Sequence, residues 1–252
     1  MMKKVSIITI CYNSAETIRD TIESVVSQDY SNIEYIIIDG ASKDSTIEIV
    51  NEYRDRISLV VSEKDKGIYD AMNKGVLAAT GDIIGILNSD DVYADQNVVS
   101  DIVKVFDGSN ADGVYADLQY VKRDALNEVT RYWKSGEYKE GLFARGWMPP
   151  HPTFFVRKEV YQQYGAYSLE LRSAADYEFM LRVIHKNRIK VGYLPRVITN
   201  MRVGGTSNVT LKNRWRANRE DKRAWEMNGL KPRFYTLALK PISKIFQFIG
   251  KK

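Results

Sequence analysis

Asp90 and Asp91 close the run Gly81-Asp82-Ile83-Ile84-Gly85-Ile86-Leu87-Asn88-Ser89-Asp90-Asp91. The run is apolar and short enough to be a buried strand. Acids at the C-terminal end of such a strand sit on a sheet rim, where open α/β folds bind ligands. A carboxylate pair there offers hard oxygens to Mg²⁺ or Mn²⁺, ions that often bridge one or two carboxylates to substrate phosphates. A solvated turn would use the same residues.

Other polar groups recur at comparable places. Tyr12-Asn13 follows one apolar run and Asp39-Gly40 another. Asp39 suits a hydrogen bond from a base or ribose; with Ser42 it would equally shape a turn, and Asp44 or Ser45 would cap the next helix. Asp70, Asn73 and Lys74 fall at i, i+3 and i+4, on one helical face, which fits a ligand-facing side or a solvated one with an Asp70–Lys74 ion pair. Asp176 begins a helical stretch, as a base or as an N-cap beside a Glu178–Arg182 pair. His151 stands between Pro150 and Pro152 in an aromatic loop, as a late metal ligand, an acceptor contact or a brace. His185 reads as structural. Trp133 and Trp147 suit sugar stacking or the core. Neither a Gly-x-Gly-x-x-Gly nor a Walker A sequence is present, so side chains and a metal would have to hold any nucleotide.

The elements that must position these groups alternate. Strands are expected at Lys4–Ile10, Glu34–Ile38, Ile57–Ser62 and Ile83–Leu87, and helices at Ala15–Gln28, Ser45–Tyr53, Ile68–Ala79 and Asp95–Phe106. This order predicts an α/β fold, a Rossmann-like, mainly parallel sheet with helices on both faces. It brings the polar strand ends to one rim. Later come short strands at Gly113–Leu118, Tyr120–Val121 and Glu128–Trp133, the loop Gly146–Phe155 entering a strand, and helices at Lys158–Tyr164 and Asp176–His185. Residues 1–209 read as one domain and 210–252 as a basic tail of two helices, Thr210–Met227 and Arg233–Ile249.

The net charge of +5 is uneven: residues 210–252 hold twelve Lys/Arg against three Asp/Glu, +9, leaving −4 for residues 1–209. The basic character belongs to the tail, which argues against a nucleic-acid-binding core and for an anionic membrane surface. Tyr235, Ala238, Leu239, Ile242, Ile245, Phe246 and Ile249 recur at helical spacing opposite Lys240, Lys244, Gln247 and Lys251. That pattern suits an interfacial helix on an inner leaflet, or a helix docked on its own domain. No apolar run reaches bilayer length, and the N-terminal segment reads as a strand rather than a leader. The single cysteine, Cys11, is expected to be a buried thiol and fits a reducing, cytoplasmic compartment.

Thr9…Tyr12-Asn13, Asp39-Gly40-x-Ser42-x-Asp44, Lys66-Gly67…Asn73-x-Gly75, Ala79-Thr80-Gly81-Asp82 and Asn88-Ser89-Asp90-Asp91, in this order, resemble a family 2 glycosyltransferase of the GT-A fold. Ala174-Ala175-Asp176-Tyr177-Glu178, His151-Pro152-Thr153-Phe154-Phe155 and Arg202-Val203-Gly204-Gly205-Thr206-Ser207 extend the resemblance to about residues 3–208 and to a bacterial surface-polysaccharide branch. The resemblance implies that Tyr12 and Asp39 contact the nucleobase and that Thr9, Lys66, Asp70, Asn73, Asn88, Asp91 and Arg202 line the nucleotide-sugar site. It further implies that Asp90 binds Mn²⁺ or Mg²⁺ and that Asp176 is the general base. Three positions depart from the family pattern: Asn88 replaces an acid, Met72 a basic residue, and Ala175 a Glu.

The function expected is inverting, metal-dependent transfer of a sugar from a nucleoside-diphosphate sugar, UDP favoured, to a lipid-linked glycan at the inner face of the membrane. A nucleotidyltransferase would need a glycine- and base-rich loop after the first strand, where Tyr12-Asn13-Ser14-Ala15-Glu16 stands instead. A non-catalytic sugar-nucleotide-binding or scaffold subunit would not need both Asp90 and Asp176.

Overall fold

A computed structural model describes residues 2–204 and 211–236, with only the backbone over 211–217. The motif residues Gly205, Thr206 and Ser207, and the apolar–basic pattern after residue 236, lie outside the described residues.

The first half alternates as expected. Strands β1 (Val5–Cys11), β2 (Ile33–Asp39), β3 (Leu59–Ser62) and β4 (Ile83–Asn88) pair in parallel, in the order β3-β2-β1-β4. Helices α1 (Ile18–Val26), α2 (Thr46–Glu52) and α3 (Ile68–Ala78) join them. The continuous apolar runs still alternate at period two: Ile8, Ile10, Ile36 and Ile38 enter one core, while Val5, Ile7 and Ile37 enter another. Helix α1 presents Ile18, Ile22 and Val25 to the second core, and burying each such side chain contributes roughly 1.5–3 kcal/mol. Helix α3 can lie close on β1 because Gly75 has no Cβ; a Cβ there would stand 2.4 Å from Ile8 Cγ2.

At the N-terminal ends of the strands, Glu34 is a staple. Its carboxylate accepts from Lys4 Nζ (2.7 Å), Ser6 Oγ (2.6 Å), and the backbone N–H (2.7 Å) and hydroxyl of Thr80. Desolvation raises its pKa, but these donors outweigh burial and pull it down to about 2.

After β4 the sheet changes character. The remaining strands are β5 (Asp91–Tyr93), β6 (Gly113–Lys122), β7 (Ala125–Trp133), β8 (Phe155–Arg157) and β9 (Val191–Arg202), with α4 (Val98–Ser109) between β5 and β6. Strand β8 pairs antiparallel with β4 and β6, β9 runs parallel to β6, β5 closes the order antiparallel to β9, and β7 forms a hairpin with β6. Only Ser89 and Asp90 separate β4 from β5, yet β8, β6 and β9 lie between those strands in hydrogen-bond order. The sheet therefore curls back on itself, and Asp90 sits in the seam where it returns.

Helices α5 (Lys158–Tyr164), α6 (Ala175–Met180) and α7 (Leu211–Met227) complete the fold. The expected helix Asp176–His185 is α6 followed by a π-helical turn, Leu181–Lys186. Helix α7 docks on α6: Trp225 Nε1 donates to Tyr177 Oη (2.8 Å) and Asn228 Nδ2 to Glu178 Oε1 (3.0 Å). Trp225 is only 2% exposed. Thr236 Oγ1 reaches Ala144 O at 2.6 Å. This first part of the tail is thus packed against residues 144–178, across the expected boundary at 209/210. Among the described residues no helix is long and apolar enough to cross a membrane.

Candidate active site

The loops after β1 and β2 are latched together. Asn13 and Ala41 hold left-handed backbone, φ 49° and 63°, a region few non-glycine residues occupy. In that conformation Asn13 N donates to Ser42 Oγ (2.8 Å) and Asn13 Oδ1 accepts from Lys43 N (2.9 Å). Asp44 accepts from Ala15 N (3.1 Å) and from Thr46 N (3.1 Å), capping α2 while tying down the start of α1. Gly40 lies beneath Tyr12 and Asp65: a Cβ there would stand 2.5 Å from Asp65 Oδ2 and 3.3 Å from Tyr12 Cδ2. Tyr12 is 58% exposed on this rim. Asp65 was not expected here, although it follows β3 as Asp39 follows β2, and the same parallel-rim rule reaches it.

Two nucleotide contacts expected on this side are otherwise engaged. Asp39 is fully buried; it accepts from Ser42 N (3.1 Å), Ser42 Oγ and Ser62 Oγ (2.6 Å), and faces the Cys11 thiol at 3.7 Å. It holds the turn from behind. Thr9 is also fully buried, with its hydroxyl on Tyr35 Oη at 3.1 Å, so it belongs to the floor below the rim. Cys11 is a free, buried thiol whose pKa burial and Asp39 push up.

Asp90 is held through its backbone. Arg202, the last residue of β9, donates from Nη1 to Asp90 O (2.9 Å), from Nε to Arg123 O (2.9 Å) and from Nη2 to Asp20. Arg202 was expected to line the nucleotide-sugar site; its guanidinium is 3% exposed and ion-paired with Asp20, where it braces the seam. Thr21 Oγ1 lies 3.0 Å from Ser89 O and 2.7 Å from Asp91 O, and Ser14 Oγ pairs with Ser89 Oγ at 2.8 Å. Asn88 Nδ2 donates to Asp91 Oδ2 at 3.1 Å. Asp91 has no exposed surface, which corrects its expected contact with the donor: it orients Asn88 from behind. Burial, then the charge of Asp90, pushes the Asp91 carboxyl well above the ordinary range. Burial raises Asp90 too, against the pull of Arg123 and Arg202.

The oxygens here are of the hard type that divalent cations take. Asn88 Oδ1 and Asp91 Oδ1 are buried without a hydrogen-bond partner. Asp90 supplies a further carboxylate. Among the described residues no three His, Cys, Asp or Glu groups converge as a protein-only cage. Such a donor set suits Mg²⁺ or Mn²⁺ shared with water and substrate phosphates.

Asp70 and Asn73, expected at the nucleotide, bond within the protein, Asp70 locally and Asn73 across to the loop before α6. Asp70 Oδ2 accepts from Lys66 N (2.9 Å), and Lys66 is exposed at the start of α3. Lys74 pairs with Glu63 at 2.8 Å. Asn73 clasps the backbone of Tyr167 in both directions, at 2.8 and 2.9 Å. Met72 is core.

Asp176 opens α6, and Tyr69 Oη donates to its Oδ1 at 3.0 Å. The Glu178–Arg182 pair was legible beforehand; Arg182 additionally caps the carbonyls of Tyr164, Gly165 and Ala166. His151 lies edge-on to Tyr167 at 6.0 Å, and burial lowers its pKa against the opposing charge of Asp176. It belongs with Asp176, and no metal cluster includes it among the described residues. Trp147 is partly buried against the core: it packs with Tyr115, Tyr138 and Phe143, and donates to Ser135 O at 2.8 Å.

Curled sheet and rim together have the architecture of the GT-A fold. Staphylococcus aureus TarS residues 1–349 with UDP-GlcNAc superpose with a TM-score of 0.71 at 18% identity, over 89% of this chain and 65% of that one. The chain therefore spans just under two thirds of that fragment. A Pyrobaculum calidifontis mannosyltransferase with GDP-Man and Mn²⁺ gives a TM-score of 0.64 at 17% identity, over 98% and 81% of the two chains. The chain belongs to glycosyl transferase family 2, whose family model matches residues 6–165. An uncharacterized glycosyltransferase of Mycobacterium tuberculosis is 33% identical over 71% of this chain and 68% of its own length. The Escherichia coli UDP-Glc:alpha-D-GlcNAc-diphosphoundecaprenol beta-1,3-glucosyltransferase WfaP is 40% identical over 40% of this chain and 41% of its own. The protein is a glycosyltransferase, and the nucleotidyltransferase and scaffold readings fall away.

Proposed function

We propose that this enzyme is an inverting, metal-dependent transferase. It moves a sugar from a nucleoside-diphosphate donor, UDP favoured, to a hydroxyl of a lipid-linked glycan in bacterial polysaccharide synthesis. The observation that carries the reading is the buried, partnerless Asn88 Oδ1, two residues before Asp90, whose backbone Arg202 braces. It is an acceptor with no protein donor, which a divalent cation would satisfy if Asn88 and Asp90 held one. The UDP-GlcNAc and GDP-Man–Mn²⁺ complexes of the fold neighbours support a sugar-nucleotide donor and a metal. WfaP's UDP-Glc donor and diphosphoundecaprenol acceptor support UDP and a lipid carrier.

In this reading Tyr12 stacks on the base, and Asp90 with Asn88 holds the ion. Bound there, Mn²⁺ or Mg²⁺ supplies positive charge against the leaving diphosphate. Asp176 takes the acceptor O–H proton as that oxygen bonds to the anomeric carbon from the opposite face. The carbon–phosphate-oxygen bond breaks, and the nucleoside diphosphate leaves with its electron pair. The exposed Phe234 (97%), between Lys231 and the basic residues that follow, supports peripheral attachment to an anionic membrane.

A donor screen tests the proposal: thermal shift and transfer with UDP-, GDP- and dTDP-sugars, with and without Mn²⁺. Selective, Mn²⁺-dependent stabilisation by one donor is expected, with Asp90→Ala and Asp176→Asn both inactive and Asp176→Asn still binding donor. Full transfer by either variant would sink the assignments.

A further inference from the structure

Asp176 opens α6 with one of its two oxygens already engaged. Tyr69, in the first turn of α3, donates to Oδ1 at 3.0 Å, and among the described residues no other side chain donates a hydrogen bond to this carboxylate. The phenol is itself held by Tyr167, which is fixed in turn. Its ring is buried and stacks on Tyr167, with centroids 6.0 Å apart. Tyr167 is clasped by Asn73, one turn after Tyr69 on the same helix. Tyr167 also packs edge-on against His151 and tilted against Phe179 of α6. Helix α3 therefore grips the Asp176 carboxylate with one residue and the loop before α6 with another.

We infer that Tyr69 is a positioning residue for the reaction, its hydroxyl pinning Asp176 Oδ1 so that Oδ2 is the oxygen turned to the acceptor hydroxyl. The inference rests on the proposed base role of Asp176. A lone carboxylate at a helix start swings about its χ torsions; a fixed donor on one oxygen sets the plane of the group. Tyr69 suits that task. Burial, reinforced by the Asp176 charge, pushes its phenol far above its ordinary value, so it remains a donor at any working pH. Asn73 and Tyr167 serve the same end by fixing where Tyr69 lies.

Tyr69→Phe removes the one hydroxyl and keeps the ring that packs on Tyr167. The expected result is a kcat lower by about 10- to 100-fold, the loss of a hydrogen bond to a charged group. Donor KM, donor-induced thermal shift and Tm should stay at wild-type values. Wild-type kcat in Tyr69→Phe, with Asp176→Asn inactive, overturns the role of Tyr69 and leaves the base in place. An active Asp176→Asn overturns both. A fall in Tm and a rise in donor KM proportional to the lost activity would make Tyr69 a packing residue only, and would also overturn the inference.

Discussion

The guanidinium of Arg202 donates to the backbone carbonyl of Asp90 at 2.9 Å, joining the end of β9 to the two-residue step between β4 and β5. This one bond ties the seam of the curled sheet to the acid proposed to hold the metal. Arg202→Lys keeps a positive charge and loses the fork that reaches Asp90, Arg123 and Asp20 together. The expected outcome is turnover down about tenfold or more, a higher Mn²⁺ concentration for half-activity, and about 1–3 kcal/mol less stability by urea melt. Unchanged Mn²⁺ dependence would show that the brace does not reach the metal.

Ala41 carries φ 63° in the latched rim loops. A side chain in that region is strained, and glycine relieves the strain at the cost of a freer unfolded chain. Ala41→Gly should be more stable by about 0.5–1 kcal/mol, with the donor KM of the parent. A lower Tm would mean that the alanine methyl contributes packing which outweighs the strain.

Glu34 governs an acid-dependent part of stability. Its folded pKa, about 2, lies below the ordinary 4.5. The staple's contribution is therefore complete above about pH 4.5 and is lost as pH falls toward 2. Glu34→Gln should lose up to about 3 kcal/mol at neutral pH. The gap to wild type should close progressively below pH 4.5. A gap that is constant from pH 7 to pH 3 would assign the loss to shape rather than charge.

The basic tail can be separated at residue 236, because Thr236 still bonds to Ala144. A 1–236 truncation should keep the parent Tm yet no longer float with vesicles containing anionic lipid, whereas the full chain should float and be released by salt. Equal flotation of the two would reject the proposed attachment.

The parallel half was legible because each strand is an apolar run closed by polar residues. Those closures predicted one rim, and the structure forms it at Tyr12, Asp39 and Asn88. The antiparallel half was harder to read. Strand β9 is interrupted by Pro195-Arg196, which bulge out where Ala116 pairs with Leu194 and Asp117 with Val197, so no continuous pattern marks it. Strand β5 has only three residues and is specified by its partner. At the site, residue types offered candidates, and burial decided which way their side chains face. Thr9, Asp91 and Arg202 are correct neighbours of the rim with side chains turned into the protein. Asn73, Tyr69 and Tyr167 meet through contacts spanning about a hundred residues, which no local spacing encodes.

Helix α7 meets α6 at Tyr177 and Glu178, the two residues directly after Asp176. The tail and the carboxylate thus share one load path. A pull on the end of α7 would be carried through Trp225 and Asn228 to the first turn of α6, one peptide unit from the proposed base. Tethering this enzyme through that part of its tail would mechanically be a grip on its proposed base.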